Sequence, residues 1–128
     1  MSPAKVSATQ TKARIRHLYQ ELSKKNPAVL DECYAPNVAV HVLQHGMEIN
    51  GLEALKLGLA GLLAAFPDVQ FAVEDIVCEE DKAAFRIAWT GTQKGEFMNQ
   101  PPTGKKVTQT AFVFLRYEGD KIAEQWEK

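Results

Sequence analysis

The chain has 128 residues, with 15 Lys and Arg against 16 Asp and Glu, a formal charge of -1, 45% hydrophobic and 24% charged side chains. That length excludes a two-domain cleft protein, and the balanced charge leaves no overall electrostatic footprint for nucleic acid or an anionic membrane. The composition is that of a folded domain, not of a disordered or collagen-like chain, so residues 1–128 are read as one domain with 1–8 as a loose N-terminal tail.

Ser7 and Gln10 have the spacing of a capping box, and Ile15, Leu18, Tyr19 and Leu22 recur behind them at helical spacing. A first helix is expected from Thr9 to Lys24. Asn26 and Pro27 open a short second helix carrying Val29, Leu30 and Cys33, which Pro36 should stop. Val38, Val40 and Val42 then alternate as in a strand, Gly46 turns the chain, and a second short strand ends near Ile49. Asn50 with Glu53 repeats the capping signature for a third helix, with Leu52, Leu55, Leu59, Leu62, Leu63 and Phe66, ended by Pro67.

Beyond Pro67 the period becomes two. Val69, Phe71, Val73 and Val77 alternate, a charged turn runs from Glu79 to Lys82, and Phe85, Ile87 and Trp89 alternate again, which predicts a long hairpin. A loop from Gly91 to Gly104 precedes a strand from Val107 to Tyr117, and Glu118-Gly119-Asp120 turns into a last strand through Trp126. Helices followed by an antiparallel meander give an α+β protein with helices on one side of a sheet. In the late strand Val113 and Leu115 point one way and Phe112 and Phe114 the other, so both faces are apolar, and the outer face is expected to pack against a second copy of the chain.

Cys33 and Cys78 occur without a secretory signal, which points to a reducing, cytoplasmic setting. The longest apolar stretch, Leu57 to Phe66, is about ten residues where a membrane span takes ~20. No phosphate loop, nucleophile elbow or zinc spacing is present, and His41 and His45 lie in a strand and turn where they do not share a helix face, so neither metal nor cofactor is expected. His17 reads as an exposed helix residue. His41 interrupts a valine-rich strand and is a candidate proton carrier. Arg86, Gln109 and Gln125 are polar where half-buried strands can face inward, as a small-molecule site requires. Asp68 at a helix-to-strand corner reads as turn chemistry, and of Glu124 and Glu127, on opposite faces of one strand, one alone can face a cavity.

Ala65-Phe66-Pro67-Asp68, Gly91-Thr92, Gly95-Glu96-Phe97, Pro101-Pro102-Thr103-Gly104 and Lys121-Ile122-Ala123-Glu124-Gln125-Trp126 together resemble SnoaL-like polyketide cyclases, from about Thr11 to Glu127. The resemblance implies the cone-shaped α+β barrel of the nuclear transport factor 2-like superfamily, three N-terminal helices packed on a curved, mainly antiparallel sheet around an apolar pocket. It also implies cofactor-independent aldol-type ring closure in a hydrophobic polyketide-like ester. The family's aspartate acid/base corresponds to Glu127, its histidine on the preceding strand to Val113, and a histidine common before the tryptophan to Gln125. Glu127 keeps a carboxylate, whereas Val113 cannot transfer a proton.

The expected site therefore has Glu127 or His41 as the acid/base group, Gln125 and Tyr19 as carbonyl donors, and Phe66, Trp89 and Val113 shaping the cavity, with Arg86 and Gln109 as further ligand contacts. The alternative is a non-catalytic small-molecule-binding or dimerisation module of the same fold.

Overall fold

The computed structural model describes residues 7–128; the tail expected at 1–8 falls, up to residue 6, outside them. Helix α1 (Ala8–Ser23) opens on the expected capping box, in which the Gln10 N–H donates to Ser7 Oγ and the Ser7 N–H donates to Gln10 Oε1. Two otherwise orphaned donors are satisfied reciprocally. Its stripe of Ile15, Leu18, Tyr19 and Leu22 is buried.

Helix α2 (Val29–Cys33) is followed at once by β1 (Tyr34–Val42), so Pro36 stands inside a strand instead of ending a helix. It sits where the register of β1 shifts between Tyr34 and Ala39, a place where a missing N–H interrupts no regular ladder. A 3-10 turn at Leu43–His45 leads to β2 (Met47–Asn50). Helix α3 (Leu52–Ala65) starts after Gly51, whose φ of 93° suits glycine, and Asn50 makes no side-chain cap. Strands β3 (Gln70–Glu79), β4 (Lys82–Thr92), β5 (Lys106–Glu118) and β6 (Lys121–Glu127) complete the fold.

The six strands form one sheet in the order β2-β1-β6-β5-β4-β3. The pairing of β1 with β6 is parallel and the others are antiparallel, so the sheet is mixed where a pure meander was expected. The expected cone-shaped barrel is not formed: the sheet is open, with β2 and β3 as its two edges, and it is not strongly curved. The first part of the β3 edge is instead met by α1 and the residues after it. The Phe71 N–H donates to Ser23 Oγ at 2.9 Å, Arg16 donates to the Val73 and Glu74 carbonyls at 3.1 and 3.4 Å, and Lys25 Nζ donates to the Val69 carbonyl.

Register aligns side chains in rows across the sheet. Val42, Glu127, Val113, Phe85 and Ile76 form one row toward the helices, and Val40, Gln125, Leu115 and Ala83 form the next. Between them His41, Trp126, Phe114, Ala84 and Val77 face away. The helix-facing rows join Ile15, Leu18, Tyr19 and Leu22 in the main core. On the other face Phe112 and Phe114 are 65% and 40% exposed, as the alternation in β5 predicts. A smaller cluster packs Phe66 against Trp89 and Phe97 at the end of α3. Among the described residues no helix is long and apolar enough to cross a membrane.

Candidate functional site

The helix-facing side holds a short chain of polar groups inside an otherwise apolar layer. Gln125, from β6, is 3% exposed, and its neighbours across the sheet are Val40 and Leu115. A buried amide requires partners, and it has them on both ends. Tyr34 donates its hydroxyl to Gln125 Oε1 at 2.6 Å, and Gln125 Nε2 donates to Glu127 Oε1 at 2.6 Å. The Tyr19 phenol adjoins Tyr34 in the same interior. Tyr19 itself is fixed by edge and tilted contacts with Phe85 and Phe71, each at 5.6 Å between centroids.

Burial dominates the proton affinities here. It raises the Glu127 carboxyl above the ordinary carboxylate range, opposed in part by the amide hydrogen bond from Gln125. Both tyrosines are pushed well above their ordinary value by burial first and by the neighbouring Glu127 charge second or third, so they serve as neutral donors. Cys33, half-buried nearby, is raised to about 11 by partial burial.

His41 lies on the opposite face. Its Nδ1 meets Glu48 Oε2 at 2.5 Å and its Nε2 meets Glu124 Oε2 at 2.7 Å, while its ring stacks on Trp126 at 5.3 Å. Two carboxylate acceptors require both ring nitrogens to carry hydrogen, and the pKa of His41 is raised accordingly, chiefly by the Glu124 hydrogen bond. Arg116 donates to Glu124 and Glu118, extending the network along the outer face. Glu124 thus faces outward and Gln125 inward, and the sheet separates His41 from Glu127.

The remaining expected residues distribute between these faces. Val113 adjoins Glu127 in the helix-facing row. Trp89 and Gln109 pair across β4 and β5 farther along that side, where Gln109 is exposed, and Phe66 packs on Trp89 at 5.1 Å. Arg86 faces outward and is held by Glu74 and Asp75 at 3.1 and 2.8 Å. Asp68 accepts from the Thr92 N–H and hydroxyl at 2.7 and 2.8 Å, a corner clamp that lowers its pKa through the backbone bond first. His17 pairs with Glu32 on the surface. Among the described residues no group of three or more His, Cys, Asp or Glu side chains gathers as a metal site.

A cleft of about 420 Å³ opens on the helix-free face, walled by Leu43, Asp75, Val77, Ala84, Arg86, Phe112, Phe114 and Trp126. Phe85, Val113 and Glu127 also contribute to its lining, and the row alternation makes them its floor. A second hollow of about 390 Å³ adjoins it over the β3–β4 turn, sharing Val77, Ala84 and Phe114.

Sequence reasoning missed Tyr34, which it placed at the end of a helix. Alternation gave no signal for it, because Tyr34 and Ala35 are both buried, Pro36 and Asn37 are both exposed, and the register shifts between Tyr34 and Ala39.

An open mixed sheet with helices on one face and a tyrosine–glutamine–carboxyl chain between the layers defines an α+β protein with a polar line through its interior. Residues 13–128 match the model of the SnoaL-like polyketide cyclase family, and the chain belongs to that family. It is similar to AclR of Streptomyces galilaeus, proposed to be a hydroxylase, with 30% identity, a TM-score of 0.82 and 95% and 90% of the two chains covered. It is also similar to IdmH of Streptomyces antibioticus, proposed to be a polyketide cyclase, with 30% identity, a TM-score of 0.78 and 93% and 91% covered. A SnoaL-like protein of Jannaschia shares the fold at 21% identity, a TM-score of 0.86 and 100% and 90% covered. No curated protein matches the sequence.

Proposed function

We propose that the chain acts as one domain and, in the cytoplasm, catalyses acid–base ring closure in a hydrophobic polyketide-like ester, with Glu127 as the group that moves the proton. The reading rests on one observation: a carboxyl whose proton affinity is raised by burial, held by Gln125 at 2.6 Å on one oxygen. A stronger carboxylate base is better matched to a carbon acid, and partial desolvation strengthens the dipoles aimed at the developing enolate. Glu127 takes a proton from the carbon next to a carbonyl, the enolate carbon attacks the second carbonyl, and the new alkoxide recovers the proton from Glu127. Gln125 has a second amide hydrogen to offer the enolate oxygen. Such an aldol step balances without metal or cofactor. The likeness to a 30% identical proposed polyketide cyclase supports the substrate class.

Val113 favours a second reading, a small-molecule-binding or dimerisation module, because valine stands where the family histidine stands. Incubating linear polyketide-type keto esters with the protein and with Glu127→Gln, with product read by mass spectrometry, separates the two. Acid–base catalysis predicts a loss of ~10²-fold or more with binding retained. Undiminished turnover in the variant removes Glu127 from the mechanism, and wild-type binding with no turnover selects the module.

We further propose that the helix-free face pairs with the same face of a second copy. Val77, Phe112 and Phe114 form an exposed apolar patch continuous across two adjoining hollows, with ion pairs at its rim, which suits a self-complementary sheet-on-sheet contact. Light scattering is expected to give a dimer, and Phe112→Glu with Phe114→Glu a folded monomer; a wild-type monomer at micromolar concentration rejects the pairing.

A further inference from the structure

We propose that Tyr34 is a positioning residue for Glu127, acting through Gln125: by spending its one proton on Gln125 Oε1 it turns the amide nitrogen toward the carboxyl. The inference deepens the acid–base reading of Glu127 and depends on it. An amide group has nearly the same shape in its two flipped orientations, so only its partners decide which end faces which. A phenol at this position, 4% exposed and 2.6 Å from Oε1, makes the choice. With the nitrogen end directed at Glu127, Oε1 of that carboxylate is occupied as an acceptor, and the proton in transit is left to Oε2. The reverse flip would present the amide oxygen to Glu127, where it could accept only from the protonated acid.

Tyr19 from α1 adjoins Tyr34, but the amide's direction is set by Tyr34 alone. The titratable groups facing Glu127 in this interior are Tyr19 from α1 and Tyr34 from β1, with Cys33 from α2 and Tyr117 from β5 charge-coupled to those tyrosines. All are phenols or a thiol driven toward their neutral forms, so none supplies a competing charge near neutrality.

The test is a titration of the Glu127 side-chain carboxyl by carbon-13 NMR in the full chain, together with pH–rate profiles. In Tyr34→Phe the amide is free to flip, the protonated acid gains an acceptor, and the Glu127 midpoint is expected to rise further. The acidic limb of the rate profile follows it upward, with kcat falling on the order of tenfold in weakly acidic solution, recovering at higher pH, and KM little changed. A merely structural tyrosine would lower activity evenly across pH. Tyr19→Phe should leave the midpoint in place. An unchanged midpoint in folded Tyr34→Phe overturns the proposal. Should that variant not fold, the wild type decides: the Gln125 side-chain amide must exchange slowly with solvent and shift as Glu127 ionises, and a freely exchanging amide overturns it. The carboxyl titration is read without substrate, so its outcome is separate from that of Glu127→Gln turnover.

Discussion

Replacing Gln125 by Leu removes the centre of the buried polar chain while conserving volume, so the cost is one of hydrogen bonding and not of a cavity. The variant strands the Tyr34 hydroxyl, which is buried and donates to Gln125 alone among the side-chain acceptors near it, and an unsatisfied buried donor costs ~1–3 kcal/mol. It also deprives Glu127 of its donor, at ~0.5–1.5 kcal/mol because that carboxyl is half-buried and water can replace part of the bond. Leucine recovers some of this through apolar burial, leaving an expected destabilisation of ~2 kcal/mol. With a urea slope of ~2 kcal/mol/M the midpoint falls by ~1 M, measured at one fixed protein concentration because assembly contributes to stability. Combining it with Tyr34→Phe should cost less than the two single changes added, by ~1 kcal/mol or more, since the double variant strands fewer groups between these positions. Gln125→Leu with an unmoved midpoint, or single and double changes that add within ~0.3 kcal/mol, would refute the claim that these groups act as one chain.

Two other outcomes follow from contacts elsewhere. His41 has a raised pKa in the folded chain, so its contribution to stability is fully present below its ordinary value and is lost as pH rises through the raised one; thermal melts of His41→Gln should fall below wild type in mildly acidic buffer and converge with it in alkaline buffer. A gap that widens at high pH would contradict the pairing with Glu48 and Glu124. At Gly91 an added Cβ would lie 3.2 Å from Phe66 Cβ and 3.4 Å from Val69 Cα, so Gly91→Ala is expected to lower stability by ~1–3 kcal/mol in calorimetry, and a neutral result would show that the α3 end can retreat.

Local order was legible because it depends on neighbours in the chain. The Ser7–Gln10 box, the α1 stripe, the β3–β4 hairpin and the two faces of β5 follow from side-chain type and spacing, and the structure reproduces them. Pairing across long separations was not. Nothing in Val38–Val42 announces that β1 runs parallel to β6, or that Arg16 and Ser23 of α1 bond the backbone of β3 at Val73 and Phe71. At the site, one face of β6 was certain to carry Gln125 with Glu127 and the other Glu124 with Trp126, but alternation alone does not say which faces the helices. His41 drew attention as a histidine in an apolar strand, and its parity with Trp126 directs it to Glu48 and Glu124. Tyr34 escaped notice because Pro36 was taken as a helix terminator.

The outer rim of β3 gains a further meaning from Arg16, Ser23 and Lys25. A strand with unclaimed amides and carbonyls is a template for cross-β growth, and Val77 is 67% exposed on this one. Three side chains from the first helix and the turn after it act here as a molecular hem over the first part of the rim, from Val69 to Glu74, occupying sites at which a stranger's backbone would dock. Because Arg16 and Ser23 share their helix with the core stripe of Ile15, Leu18 and Leu22, this selvedge stays covered for as long as the interior holds.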